Sequence, residues 1–115
     1  MTDTSSASER ITLVLTAWPG VQAGPGRRGE FAFKLNGKEI GHLHGDHAAH
    51  FFFSTELWEE LKAQGRITPH PVFPDRRGPA ARRIYNEADV ADVIALMRLN
   101  YDRLLVRRDS PVQTA

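Results

Sequence analysis

The stretch Glu30-Phe31-Ala32-Phe33-Lys34-Leu35-Asn36-Gly37-Lys38-Glu39-Ile40-Gly41-His42-Leu43-His44 decides how this chain folds. Two segments of alternating apolar and polar residues flank an Asn-Gly pair. A two-residue hairpin turn of type I′ requires positive φ at both loop positions, which asparagine and glycine tolerate best. The pattern therefore predicts a β-hairpin. A regular ladder counted outward from the turn pairs Leu35 with Lys38, Lys34 with Glu39, Phe33 with Ile40 and Phe31 with His42. In that register Phe31, Phe33, Leu35, Ile40, His42 and His44 share one side, toward the core or a pocket in it. Lys34 and Glu39 then form a cross-strand ion pair on the other side.

Upstream, Ile11, Val14, Leu15 and Trp18 fall on one helical face, with Ser6 and Glu9 spaced as a capping box and Pro19-Gly20 as the stop. Residues 23–29 read as a Gly/Pro/Arg-rich loop. Downstream, 48–53 read as a third strand. Ser54-Thr55 caps a short helix with Leu57, Trp58 and Leu61 inward, stopped by Gly65. Residues 67–74 contain three prolines and are expected to be extended. A strand over 81–85 leads into the longest helix, capped by Asn86, on which Val90, Val93, Ile94, Met97, Tyr101, Leu104 and Leu105 keep helical spacing. The fold class is α+β: a curled antiparallel sheet of about four strands flanked by helices, in the order α-β-β-β-α-β-α. One domain is expected over residues 6–108, with tails at 1–5 and 109–115.

At 115 residues, with 41% apolar and 25% charged residues, the chain can build one core and is not a disordered segment. The absence of cysteine removes disulfides, thiolate metal sites and thiol nucleophiles. The opening Met1-Thr2-Asp3-Thr4-Ser5-Ser6 lacks a basic region followed by an apolar run, and no stretch is apolar enough to span a bilayer. A cytoplasmic domain with no membrane contact is the expectation. A formal charge of +1 implies no polyanionic partner.

The densest polar feature is His42-Leu43-His44-Gly45-Asp46-His47. Two residues apart on a strand, His42 and His44 put both imidazoles on one face, their Cα atoms about 7 Å apart. Gly45 permits a turn that returns Asp46 and His47 toward them, and His70, held between Pro69 and Pro71, is a further ligand or acid/base. Neutral imidazole ligates zinc, iron and copper, and two histidines with a carboxylate form the facial set of non-haem iron oxygenases. The bland reading is of core histidines with satisfied nitrogens. The string also matches the metallo-β-lactamase signature, but that fold needs about twice this length and further ligands far downstream. Arginine pairs at 27–28, 76–77, 82–83 and 107–108 suit a phosphate or carboxylate, or serve only to solvate loops. They make a nucleic-acid or partner-binding module the alternative function.

From Trp18 to Tyr101 the chain resembles the luciferase-domain family, which joins short bacterial proteins to the fungal luciferases. The matching pieces are Trp18-Pro19-Gly20-Val21, Glu39-Ile40-Gly41-His42-Leu43-His44, His47, the His70-Pro71 step, the strand near Ile84-Tyr85 and the terminal helix through Tyr101. Fungal luciferases oxygenate a hydroxypyrone-type luciferin with molecular oxygen. The resemblance therefore implies an oxygenase-like, small-molecule-binding pocket and carries over His42, His44, His47 and His70 as its catalytic candidates. The residues themselves, apart from the resemblance, make Asp46, Phe31, Phe33, Arg82 and Arg83 ligand-binding candidates. No tightly held cofactor is expected, because those enzymes need none added and three ligands from one short strand-turn stretch strain a metal site. A divalent metal on His42, His44 and His47 is the alternative. A small-molecule ligand is expected as partner and nucleic acid is not; helix and strand order alone also resemble the bacterial proteins called DNA-binding of the MmcQ/YjbR type. Oligomeric state stays open.

Overall fold

Helix α1 (Ala7–Thr16) starts where its spacing predicts: the Ser6 hydroxyl accepts from the Glu9 N–H and the Glu9 carboxylate accepts from the Ser6 N–H, a complete capping box. The structure, a computed structural model, describes residues 5–109, with side chains through Val106. The expected tails, apart from Ser5 and Asp109, lie outside the described residues. After α1 come β1 (Val21–Pro25), β2 (Phe31–Leu35), β3 (Lys38–His44), β4 (Ala48–Phe52), α2 (Thr55–Ala63), β5 (Thr68–Pro69), β6 (Pro79–Arg83) and α3 (Glu87–Asp109). The Asn36-Gly37 turn takes φ of 53° and 80°, as a type I′ turn requires.

The six strands form one antiparallel sheet in the order β1-β2-β3-β4-β6-β5, an α+β arrangement with two strands more than expected. Strand β1 runs into the stretch read as loop, which it overlaps at residues 23–25. Gly24 and Pro25 disguise it, and both are tolerated because β1 is an edge strand that pairs only with β2. β5 is a two-residue edge piece that ends on Pro69, for the same reason. The strand expected over 81–85 begins two residues earlier, at Pro79.

The register expected for the hairpin holds only for its first two pairs. Leu35 faces Lys38 and Lys34 faces Glu39, but Phe33 then faces Gly41, Ala32 faces His42 and Phe31 faces Leu43. A β-bulge at Ile40 inserts one extra residue into β3, so the consecutive residues Ile40 and Gly41 are both buried. The slip corrects the expectation that His42 and His44 share the face of Phe31 and Phe33. Energetics explain it. The regular register leaves Leu43 in solvent and drives two imidazoles into an apolar core, where each polar group without a partner costs about 1–3 kcal/mol. With the bulge, Leu43 is buried instead, which contributes about 1.5–3 kcal/mol.

The price of a bulge is an interrupted ladder, and α3 repairs it. His42↔His50 is the last β3–β4 pair toward the bulge. One step beyond, the Asn100 side-chain amide donates to the carbonyls of both Ile40 (3.0 Å) and Phe52 (3.2 Å). Asn100 is the buried polar residue of the core, on a helix whose Val93, Leu96, Met97 and Tyr101 pack against Ile11, Leu15, Phe33, Leu35, Ile40 and Leu43. Gly41 is needed for that packing, since a Cβ there would stand 2.6 Å from Met97 Sδ and 3.1 Å from the His50 carbonyl. α2 adds Trp58 and Leu61 to the same core, and the Trp58 indole donates to the Pro79 carbonyl. The helical side of the sheet is thereby filled, and the opposite side carries the polar residues.

Candidate functional site

One row of residues crosses the whole sheet on the side away from the core: Gly24, Ala32, His42, His50, Ala81 and Thr68, one from each strand in spatial order. Directly opposed residues of antiparallel strands share a face, so His42 and His50 stand side by side between small neighbours. His44, two residues along β3, projects on the same face. The rings of His42 and His44 lie 4.9 Å apart, those of His42 and His50 5.3 Å, and those of His44 and His50 4.3 Å. His70 follows β5 and brings its ring within 4.2 Å of His50. Four of the five histidines therefore converge on one spot.

They line a cleft of about 470 Å³ whose walls are Arg27, Arg28 and Glu30 of the loop before β2, Lys34 and Glu39 of the hairpin, and Val72 and Phe73 beyond His70. A second hollow, between α1 and the sheet edge, is lined by Leu13, Phe31 and Leu43 and contains no histidine.

Hydrogen bonds assign the tautomers. A carboxylate only accepts, so the Glu39 oxygen 2.8 Å from His42 Nδ1 holds a proton on that nitrogen and leaves Nε2 as the lone-pair atom of neutral His42. Glu39 thus serves His42 and not Lys34, its expected ion-pair partner. His70 is the reverse: its Nδ1 accepts from the Val72 N–H at 3.0 Å, so neutral His70 carries its proton on Nε2. His50 has a buried Nδ1 without a hydrogen-bond partner. Burial first, and then the charges of His70, His44 and His42, push the His50 imidazole down to about 4. Burial lowers His70 as well, with His42 and His44 adding to it. His50 is therefore neutral across the physiological range.

The other anticipated residues stand elsewhere. His47 is exposed in the turn between β3 and β4, and its place in the cluster is taken by His50. Asp46 accepts from the Ser8 N–H at the start of α1, and that bond holds its carboxyl below the usual range. Phe33 is fully buried in the core and Phe31 lines the α1 hollow, both on the face away from the histidines as the bulge dictates. Arg82 points to the helical side, where it binds Asp89 and Asp92, each at 2.7 Å, and the Arg66 carbonyl. Arg83 pairs with Ala48 in the row of His44, exposed at the margin of the histidine face. Of the arginine pairs, 27–28 borders the cleft, Arg76 lies over Phe73 of the same cleft, and Arg77 and Arg82 are engaged elsewhere, by Glu59 and by Asp89 and Asp92.

His50 escapes notice in the sequence because the cue sits in register rather than in spacing. Asn100 and Glu39 were missed too. A polar residue amid the apolar stripe of α3 is the signal for Asn100; nothing local marks Glu39.

The family model for the luciferase domain matches residues 37–100 of the 115. The chain belongs to the luciferase-domain family. No curated protein and no solved structure matches it. The segment shared with other luciferase domains runs from the hairpin turn through Asn100, so it contains all four clustered histidines, Glu39 and the amide that closes the bulge. α1 and the β1–β2 edge lie outside it.

Proposed function

We propose that this luciferase domain binds a small, planar, weakly acidic organic molecule in the histidine cleft and that the histidines carry oxygenase-type chemistry on it. One observation carries the reading: His42 and His70 line the same cleft with opposite tautomers, each enforced by a hydrogen bond on its Nδ1. His42 offers a lone pair, to a proton or another electrophile, and Glu39 holds its ring in place. His70 offers an N–H to a developing oxyanion. The volume suits a small ligand. Ala32 leaves the floor flat, while Arg27, Arg28 and Lys34 supply positive charge for an ionised hydroxyl or carboxylate. Removal of a proton from an electron-rich ring leaves a carbanion or enolate, the form of an organic substrate that gives electrons to dioxygen. His50, kept neutral at the centre, adds no repelling charge to the clustered imidazoles.

The test uses a simple hydroxypyrone as probe, on protein stripped of metal and kept in chelator. Binding is expected to shift the imidazole signals of His42, His44, His50 and His70 in NMR. His70→Phe, which keeps a ring there, is expected to weaken binding about tenfold, the loss of one useful hydrogen bond. Shifts confined to Leu13, Phe31 and Leu43 would move the site to the α1 hollow and end this reading. Dioxygen uptake with the bound probe, measured on protein as isolated, checks the oxygenase part separately.

A further inference from the structure

We propose that His42, His44 and His50 form a three-imidazole site for a divalent first-row transition-metal ion, the electrophile that faces the ligand in the cleft. The inference rests on the cleft as the working site and adds the cofactor class. One potential ligand nitrogen from each of the three rings lies within 4.8 Å of the others. Metal–nitrogen bonds of about 2.0–2.1 Å place ligand nitrogens about 3.3 Å apart in a tetrahedral arrangement, so modest ring rotation closes the site. The backbone is already set. Two ligands come from one strand and the third from directly across the ladder, which avoids the strain of drawing all three from a strand and its turn.

Three further features belong to such a site. Glu39 grips His42 Nδ1 at 2.8 Å, the outer carboxylate that orients a ligating imidazole and makes it a better donor. His50 has a buried Nδ1 with no hydrogen-bond partner, a polar group that ligation through that nitrogen would satisfy. The sheet blocks one side, so three ligands leave the remaining coordination positions toward the cleft, as in catalytic rather than structural metal centres. His70 is not a fourth ligand through Nδ1, which already accepts from Val72; its Nε2–H instead meets whatever anion the metal holds.

The experiment takes the full chain without a histidine tag, stripped with chelator and dialysed, and titrates it with cobalt(II) alone. One equivalent is expected to bind with visible ligand-field absorption, to be displaced by zinc(II), and to raise the melting temperature. His50→Ala is expected to weaken cobalt binding at least a hundredfold. His44→Ala, at an exposed position that folding does not need, should do the same and covers the case in which the first variant fails to fold. Glu39→Gln should weaken it about tenfold to a hundredfold, and His47→Ala should change nothing. No absorption and no stabilisation at about a hundredfold excess of cobalt over protein overturns the proposal, as does cobalt binding that survives His44→Ala but is lost in His47→Ala. Hydroxypyrone binding in chelator is read separately, so a failed metal site and a failed cleft give different results.

Discussion

Replacement of Asn100 probes the device that sets the register of the histidine strand. In the parent, its amide donates to the carbonyl of the bulged Ile40 and to that of Phe52, at the point where β3 and β4 part. Asn100→Leu keeps the branched shape at somewhat greater bulk and removes the donor. The Ile40 carbonyl is then buried without its partner, at a cost of about 1–3 kcal/mol. The Phe52 carbonyl keeps a long contact from Arg103 Nη2 at 3.4 Å, so its loss is smaller, about 0.5–1 kcal/mol. Against this, the Asn100 side-chain oxygen has no partner in the parent, and its removal recovers about 1 kcal/mol. The net expectation is a destabilisation of about 2 kcal/mol, or about 6–10 °C in melting temperature for a domain of this size. Asn100→Asp should cost more at neutral pH, because it aims a carboxylate at two carbonyl oxygens. Urea and thermal unfolding measure the loss, and NMR of the imidazoles reports whether the His42–His50 pair loosens. A leucine variant within about 2 °C of the parent, with unmoved histidine signals, would refute the argument that the amide secures the bulge.

Two further outcomes follow from the same geometry. For the metal-free domain in chelator, stability should fall as pH drops from about 6.5 to about 4. His50 is displaced downward in the folded state by burial and by His42, His44 and His70, so the unfolded chain takes up the proton first. The full displacement corresponds to about 3 kcal/mol, which the partial exposure of the ring reduces to about 1–2 kcal/mol. Asp46 and Asp89, held below the usual carboxylate range, lose their contributions only at lower pH; His70, lowered as well, adds to the upper window, so His50→Phe should shrink that window without abolishing it. Arg82→Met should destabilise by about 2 kcal/mol by taking the guanidinium from Asp89, which keeps the Tyr85 N–H, and from the Arg66 carbonyl, while Arg66 still holds Asp92; it should leave hydroxypyrone binding unchanged. Lost binding at full stability would return Arg82 to the ligand site.

Features that depend on a few consecutive residues are legible in the chain itself. Asn36-Gly37 specifies its turn because few other pairs accept positive φ twice, and Ser6 and Ser54 cap their helices because each hydroxyl reaches an N–H three residues away. The apolar spacing of α3 marks its buried stripe, and the density of histidines marks the strand that bears the site. Tertiary structure alone decided which way that strand faces. Local alternation groups His42 with Ile40, but burial of Leu43 and solvation of the imidazoles favour a bulge that Asn100, sixty residues away, completes. The same long-range pairing recruited His50 in place of His47, brought Glu39 to His42, and turned a Gly/Pro-bearing stretch into β1. Those outcomes rest on free energies summed over contacts between distant segments, which no window of sequence contains.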